Sequence, residues 1–176
     1  MAVDHVKSTP ITNLDANPVV PNTAGEGGPA PLVSVSSGDV VGVAASSVNA
    51  TYQFVRVPSN CKIKQILFDT ETQAAGAIDI GLYYATDGEG GKPTALLAAA
   101  AIDQDFFASA VTITAVAITD VTNESGTYTP LKRNQPLWQA VGLSSDPGGY
   151  FDIVGTVTTA ITTGTGKMGM TVNFTV

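Results

Sequence analysis

Side chains able to carry out chemistry are few in this chain. His5 is the only histidine, and it stands in a leading stretch rich in proline and glycine, so histidine acid–base catalysis or a Ser-His-Asp triad has no base in the body of the chain. The run Gly142-Leu143-Ser144-Ser145-Asp146 lacks the Gly-x-Ser-x-Gly spacing of a nucleophile elbow and reads as a strand end entering a turn. Gly88, Gly90 and Gly91 precede Lys92 and Pro93 with no helix start behind them, which does not make a phosphate cradle. Glycoside hydrolysis needs only two carboxyl groups at the right separation, and Asp79, Asp103, Asp105 and Asp152 are the candidates for it. Asp79 and Asp152 alternate with apolar neighbours in β-like runs, which predicts solvent-facing positions where ordinary surface aspartates belong. Asp87, Glu89, Asp103 and Asp105 are oxygen ligands in turn-rich segments that could suit calcium, but Asp87-Gly88-Glu89-Gly90-Gly91 lacks the order of an EF-hand loop and an unliganded turn is expected. The expectation is a protein that is not an enzyme and has no catalytic residues, no cofactor and no metal.

Cys61 is the only cysteine, which rules out a disulfide within the chain and a four-cysteine zinc site and predicts a small buried hydrophobe. Tyr83, Tyr84, Trp138, Tyr150 and Phe151 would form a sugar-stacking platform if they faced outward together; the simpler expectation puts Trp138 and Phe151 in a core with the tyrosines at its rim. The sequons at Asn49, Asn123 and Asn173 matter only in a secreted eukaryotic protein and are expected to be chance matches.

Fifteen acidic against eight basic residues give a net charge of -7, which repels phosphate backbones, and no basic stripe compensates; nucleic acid is not an expected partner. Charged residues make up 13% of the chain, about half the usual share, as suits a surface covered by partners. The first seven residues lack the apolar run of a signal peptide, and the block 95–102 is too short to cross a bilayer, so synthesis in a cytoplasm and no membrane association are expected.

Residues 1–31 contain Pro10, Pro18, Pro21, Pro29 and Pro31 with Gly25, Gly27 and Gly28, and show no apolar period. They read as an extended arm whose apolar residues Ile11, Leu14, Val19 and Val20 would lie as a strap along another subunit. From residue 32 to 176 the pattern becomes that of a single β-domain with short runs at 32–35, 39–44, 51–57, 62–69, 77–84, 111–118, 137–143, 150–157 and 167–176. Ile78, Ile80, Leu82 and Tyr84 share one face of their run, with Ala77, Asp79, Gly81 and Tyr83 on a wet face. In the last run Met168, Met170, Val172, Phe174 and Val176 point inward. Turn signals stand at 58–60, 87–91, 123–126 and 146–149. Asp103 followed by Phe106 and Phe107 predicts one short helix over 103–108, with 95–101 either extending it or forming a crossing loop. The fold expected is all-β: an antiparallel two-sheet sandwich of about eight strands, jelly-roll-like in preference to immunoglobulin-like, with an extended N-terminal arm.

The stretch Lys7-Ser8-Thr9-Pro10-Ile11-Thr12-Asn13-Leu14-Asp15 leads into the proline- and glycine-rich strap, and Phe54-Val55-Arg56-Val57-Pro58-Ser59-Asn60 opens the β-domain. Ile80-Gly81-Leu82-Tyr83, Asp105-Phe106-Phe107-Ala108-Ser109-Ala110 and Pro136-Leu137-Trp138 follow. Over nearly its full length the chain resembles small virion proteins of tailed bacteriophages, of the kind that sit on or beside the major capsid protein. The resemblance implies a capsid decoration, or cement, protein on the capsid surface that binds the major capsid protein or other virion subunits and stabilises the head. A homo-oligomer is expected, a trimer being the geometrically convenient one. The alternative is a head-fibre, tail or receptor-binding β-module that recognises carbohydrate or protein.

Overall fold

Alternating apolar residues at a period of two, broken every eight to twelve residues by glycine, proline and asparagine, leave this chain little choice but to fold into strands. A computed structural model describes residues 5–7, 11–12, 15–16, 34–85, 101–162 and 166–176. They form β1 (His5–Lys7), β2 (Ser34–Val41), β3 (Thr51–Pro58), β4 (Lys62–Thr70), β5 (Ala77–Tyr84), β6 (Ala101–Thr112), β7 (Ala117–Asp120), a helical turn α1 (Leu137–Ala140), β8 (Tyr150–Thr159) and β9 (Lys167–Thr175). One sheet has the order β1-β3-β8-β5-β6 and the other β2-β9-β4-β7. β2 pairs with β9, β3 with β8, β4 with β7 and β5 with β6, all antiparallel. Nested pairing of this kind is a long two-stranded ribbon rolled over on itself, so the sandwich is a jelly roll, as the sequence predicts. β1 stands outside that scheme: it runs parallel to β3, with His5 opposite Thr51 and Lys7 opposite Gln53.

The four-stranded sheet has one dry and one wet face. On β9, Met168, Met170, Val172 and Phe174 are buried and alternate with half-buried polar residues; Val176, expected inward, lies past the last ladder pair and is exposed. Phe54 of β3 meets Phe68 of β4 edge-to-face across the two layers, ring centroids 5.7 Å apart.

The five-stranded sheet departs from expectation. The first seven residues of β5 are all buried, and so are those of β8 from Phe151 to Val157, so the face carrying Asp79, Gly81 and Tyr83 is dry as well. Asp79 and Asp152 are therefore buried, at 8% and 0% exposure, against the expectation of a solvent-facing position. Gly81 is required here: a Cβ at that position would run into the backbone carbonyls of Asp103 and Gln104 on β6.

Residues 103–108 are strand, not helix. Ile80 faces Ala108, but Leu82, two residues on, faces Asp103, five residues back. The extra residues bulge out of the ladder, and a bulge lets the consecutive Phe106 and Phe107 both enter the core, where they pack with Tyr128. The run 137–143, expected as a strand, instead begins with α1: Pro136 presets the start, Leu137 and Ala140 are buried at helical spacing, and the first amides bond to Cys61 O at 2.8 Å and Ser59 O at 3.1 Å. Runs 32–35 and 39–44 merge into the single strand β2, with residues 32 and 33 outside the described residues. Run 111–118 spans the end of β6, a bend and the start of β7. The expected turns at 58–60, 123–126 and 146–149 are present, whereas 87–91 lies outside the described residues.

Two outcomes follow from this packing. Gly81→Ala is expected to lower unfolding free energy by about 1–3 kcal/mol in denaturant titration, because backbone cannot step aside as a side-chain tip would. Cys61 is fully buried and its thiol is pushed up to about 12 by burial. It should resist alkylation at pH 8 in the native protein and react once denaturant is added; labelling of the native state at the rate of a free thiol would contradict the packing described.

Candidate functional site

Arg56 sits in β3 among Phe54, Val55 and Val57, and Asp152 in β8 between Phe151 and Ile153. Neither run offers water, so each charge needs a partner, and the register of β3 on β8 places the two residues opposite one another. Arg56 Nε donates to Asp152 Oδ1 at 2.7 Å and Nη2 to Oδ2 at 3.0 Å, a two-pronged pairing, while Gln53 Nε2 adds a third donor to Oδ2 at 2.8 Å. The remaining prong of the guanidinium, Nη1, donates to Asp15 Oδ1 at 2.7 Å. Asp15 belongs to the arm, and its other oxygen accepts from Lys7 Nζ at 2.6 Å. Two cations and two carboxylates thus join the arm to the sandwich.

Burial in this network falls from the inside out: Asp152 is completely buried, Arg56 nearly so, Asp15 mostly, and Lys7 keeps 29% of its side chain exposed. Burial works against the charge of Arg56, but the hydrogen bonds and charge of Asp152, and then of Asp15, more than offset it and hold the guanidinium above its ordinary value. Burial pushes the Asp152 carboxyl up, against the pull of Arg56.

Of the arm residues expected to meet a partner, Ile11 is fully buried in this chain; Leu14, Val19 and Val20 lie outside the described residues. The sequence reading passed over Lys7, Asp15 and Arg56. Its available signal was the appearance of opposite charges inside two apolar strands, one in Val55-Arg56-Val57 and one in Phe151-Asp152-Ile153.

Two of the four acidic residues considered for catalysis, Asp79 and Asp152, are in structural use. Asp79 Oδ1 accepts from Ala110 N at 2.8 Å and Oδ2 from Gln104 Nε2 at 2.9 Å, which ties down the β6 bulge. Asp103 is held above the usual carboxyl range by burial first, and next by a hydrogen bond with Asp105 and its charge. No group of three metal-ligating side chains occurs among the described residues; Asp87 and Glu89 lie outside them. The aromatic candidates are divided rather than gathered: Tyr83 and Phe151 are buried, Trp138 is half-buried against the core, and Tyr150 is exposed.

Among the described residues the four-stranded sheet has two outer strands without a second neighbour, β2 and β7. β7 closes the four-stranded sheet, bonded to β4 on one side with no described strand on the other. All four of its residues are exposed, and Val116 and Ile118 show 75% and 72% of their surface. It carries neither lysine nor proline, two common means of blunting an edge.

No family model matches the chain, and no curated protein does. Among solved structures, a chain of the cyanophage Pam1 capsid asymmetric unit aligns with TM-score 0.40 and 13% identity, over 89% of this chain and 97% of that one. No helix among the described residues is long and apolar enough to cross a membrane.

The network sets an order of severity. Arg56→Met leaves Asp152 buried without its cation and is expected to cost about 3–5 kcal/mol of stability. Asp15→Asn removes only the outer carboxylate and should cost a fraction of that. Equal losses in the two denaturation curves would show that Asp152 does not depend on Arg56.

Proposed function

We propose that this chain is a structural protein of a tailed-bacteriophage virion, a capsid decoration protein that binds the surface of the major capsid protein and stabilises the head. Four considerations support this. The sequence resembles small virion proteins over nearly its full length. Asp79 and Asp152, two of the carboxyls suited to catalysis, are engaged by hydrogen bonds within the fold. The surface carries little charge. Residues 1–31, rich in proline and glycine, differ in composition from the β-patterned residues 32–176.

The single observation that carries the reading is the β7 edge. A strand edge unpaired among the described residues, bearing exposed Val116 and Ile118 and a single charge at Asp120, is a template for another chain's strand and a hazard when left uncovered. A shell protein covers it. Backbone hydrogen bonds then supply affinity, and Val116 and Ile118 supply apolar area. Genome packing loads a shell outward, and a protein that bridges its subunits resists that load by contact alone.

The test is reconstitution on heads stripped of this protein. Wild-type chain is expected to rebind to saturation and raise the temperature at which the heads rupture. Val116→Lys/Ile118→Lys should melt like wild type, since both positions are exposed, yet lose most of its occupancy. Full occupancy by that variant would overturn the edge as the contact, and failure of the wild type to bind would overturn the decoration role.

A further inference from the structure

The arm's attachment has three properties of a removable part. First, β1 is parallel to β3, so it cannot be a hairpin arm of that strand; it is added to the sheet edge much as a separate peptide would be. Second, the arm is tied to itself before it is tied to the domain. Lys7 Nζ reaches Asp15 at 2.6 Å, and Asp15 N donates to Ile11 O at 3.0 Å, so the ion pair, the buried Ile11 and the carboxylate form one plug. Third, the receiving side is complete without the arm: Asp152 and Gln53 orient Arg56, leaving Nη1 as a ready donor at the β3 edge.

Between Ala16 and Ser34 lie seventeen residues. Their contour length, at most about 60 Å, exceeds the diameter of roughly 40 Å expected of a domain this size. A plug on such a tether meets the same Arg56 and the same β3 edge whether they belong to its own domain or to a neighbour's. Contacts being equal, the choice is set by local concentration, which for a tether of seventeen residues is about millimolar.

We propose that the arm is exchangeable and docks in trans, β1 filling the β3 edge and Asp15 the Arg56 Nη1 position of a second copy of this chain. A dilute chain holds its own plug. Copies held side by side pass plugs to one another, which links them without any contact that the single chain lacks. Exchange needs only copies of this chain, so a failure to bind capsids leaves it standing.

Engineered cysteines report the exchange directly. Opposed positions His5 and Thr51 are changed in separate full-length chains, His5→Cys and Thr51→Cys, and together in a third. Each is equilibrated in a glutathione redox buffer and read by mass on non-reducing gels. The double variant is expected to close within one chain when dilute. A mixture of the single variants is expected to give the His5→Cys/Thr51→Cys heterodimer in several-fold excess over either homodimer, its share rising as the mixture is taken from micromolar to about millimolar. A mixture that stays monomeric, or that dimerises without preference for the heterodimer, while the double variant closes on itself, would show that the arm serves only its own domain. A double variant that never closes would overturn the docking register and the exchange with it.

Discussion

The Arg56–Asp152 pair is the constraint on which the arrangement of this molecule rests. Two charges placed inside a sheet lose their water and must recover the cost from each other, so β3 and β8 can pair in only one register without stranding one of them. A slip by one residue would turn Arg56 towards Phe54's side of the sheet and leave Asp152 alone. The same pair decides where the arm goes. A guanidinium has more donors than one carboxylate can take, and the spare Nη1 needs an acceptor in a place water barely reaches. Asp15 is that acceptor, and Lys7 keeps the added carboxylate from tipping the site negative.

A jelly roll is a ribbon rolled up, and rolling leaves strand edges at both ends of both sheets. Those edges are treated unequally here. The β3 edge is covered by β1 over Thr51, Tyr52 and Gln53. β6 is distorted by its bulges, which spoil it as a template. β7 has neither protection.

Much of the fold was legible in the sequence, and the failures share a cause. β9 was readable because one of its faces is wet, so alternation between methionine or valine and lysine or asparagine marks both sides. β5 misled because alternation between Ile78-Ile80-Leu82 and Asp79-Gly81-Tyr83 looks the same whether the second face meets water or protein. Only the opposing charges hint at the difference. The 103–108 segment presented a capping aspartate and two phenylalanines, a local argument for helix that pairing with β5 outweighs. α1 was missed for the converse reason: five apolar residues between 137 and 143 suggested a strand, while Pro136 signalled a helical start. Composition set the arm apart from the β pattern, but of its described residues only 5–7 are extended, whereas 11 and 12 are helical and Asp15 N bonds back to Ile11 O; no spacing rule joins Lys7 and Asp15 to Arg56.

Covering the β3 edge by a removable strand has a topological consequence. If each copy donates its plug to the next, a chain of copies with free ends has one receiving edge empty and one plug unused, with Arg56 Nη1 deprived of Asp15 at the empty edge. A closed ring has neither. Every added copy in an open chain carries the same two defects forward, whereas closure removes both at once, so head-to-tail exchange favours a cyclic assembly as soon as the rotation per copy permits one. The smallest ring that closes without straining the tether loses the least entropy, and a tether longer than the domain is wide allows rings of few members. A single copy with its own plug in place is the ring of one. The contacts that hold the monomer together are therefore the contacts that define the assembly, and passing between the two requires no new interface and leaves no copy exposed once the ring is shut.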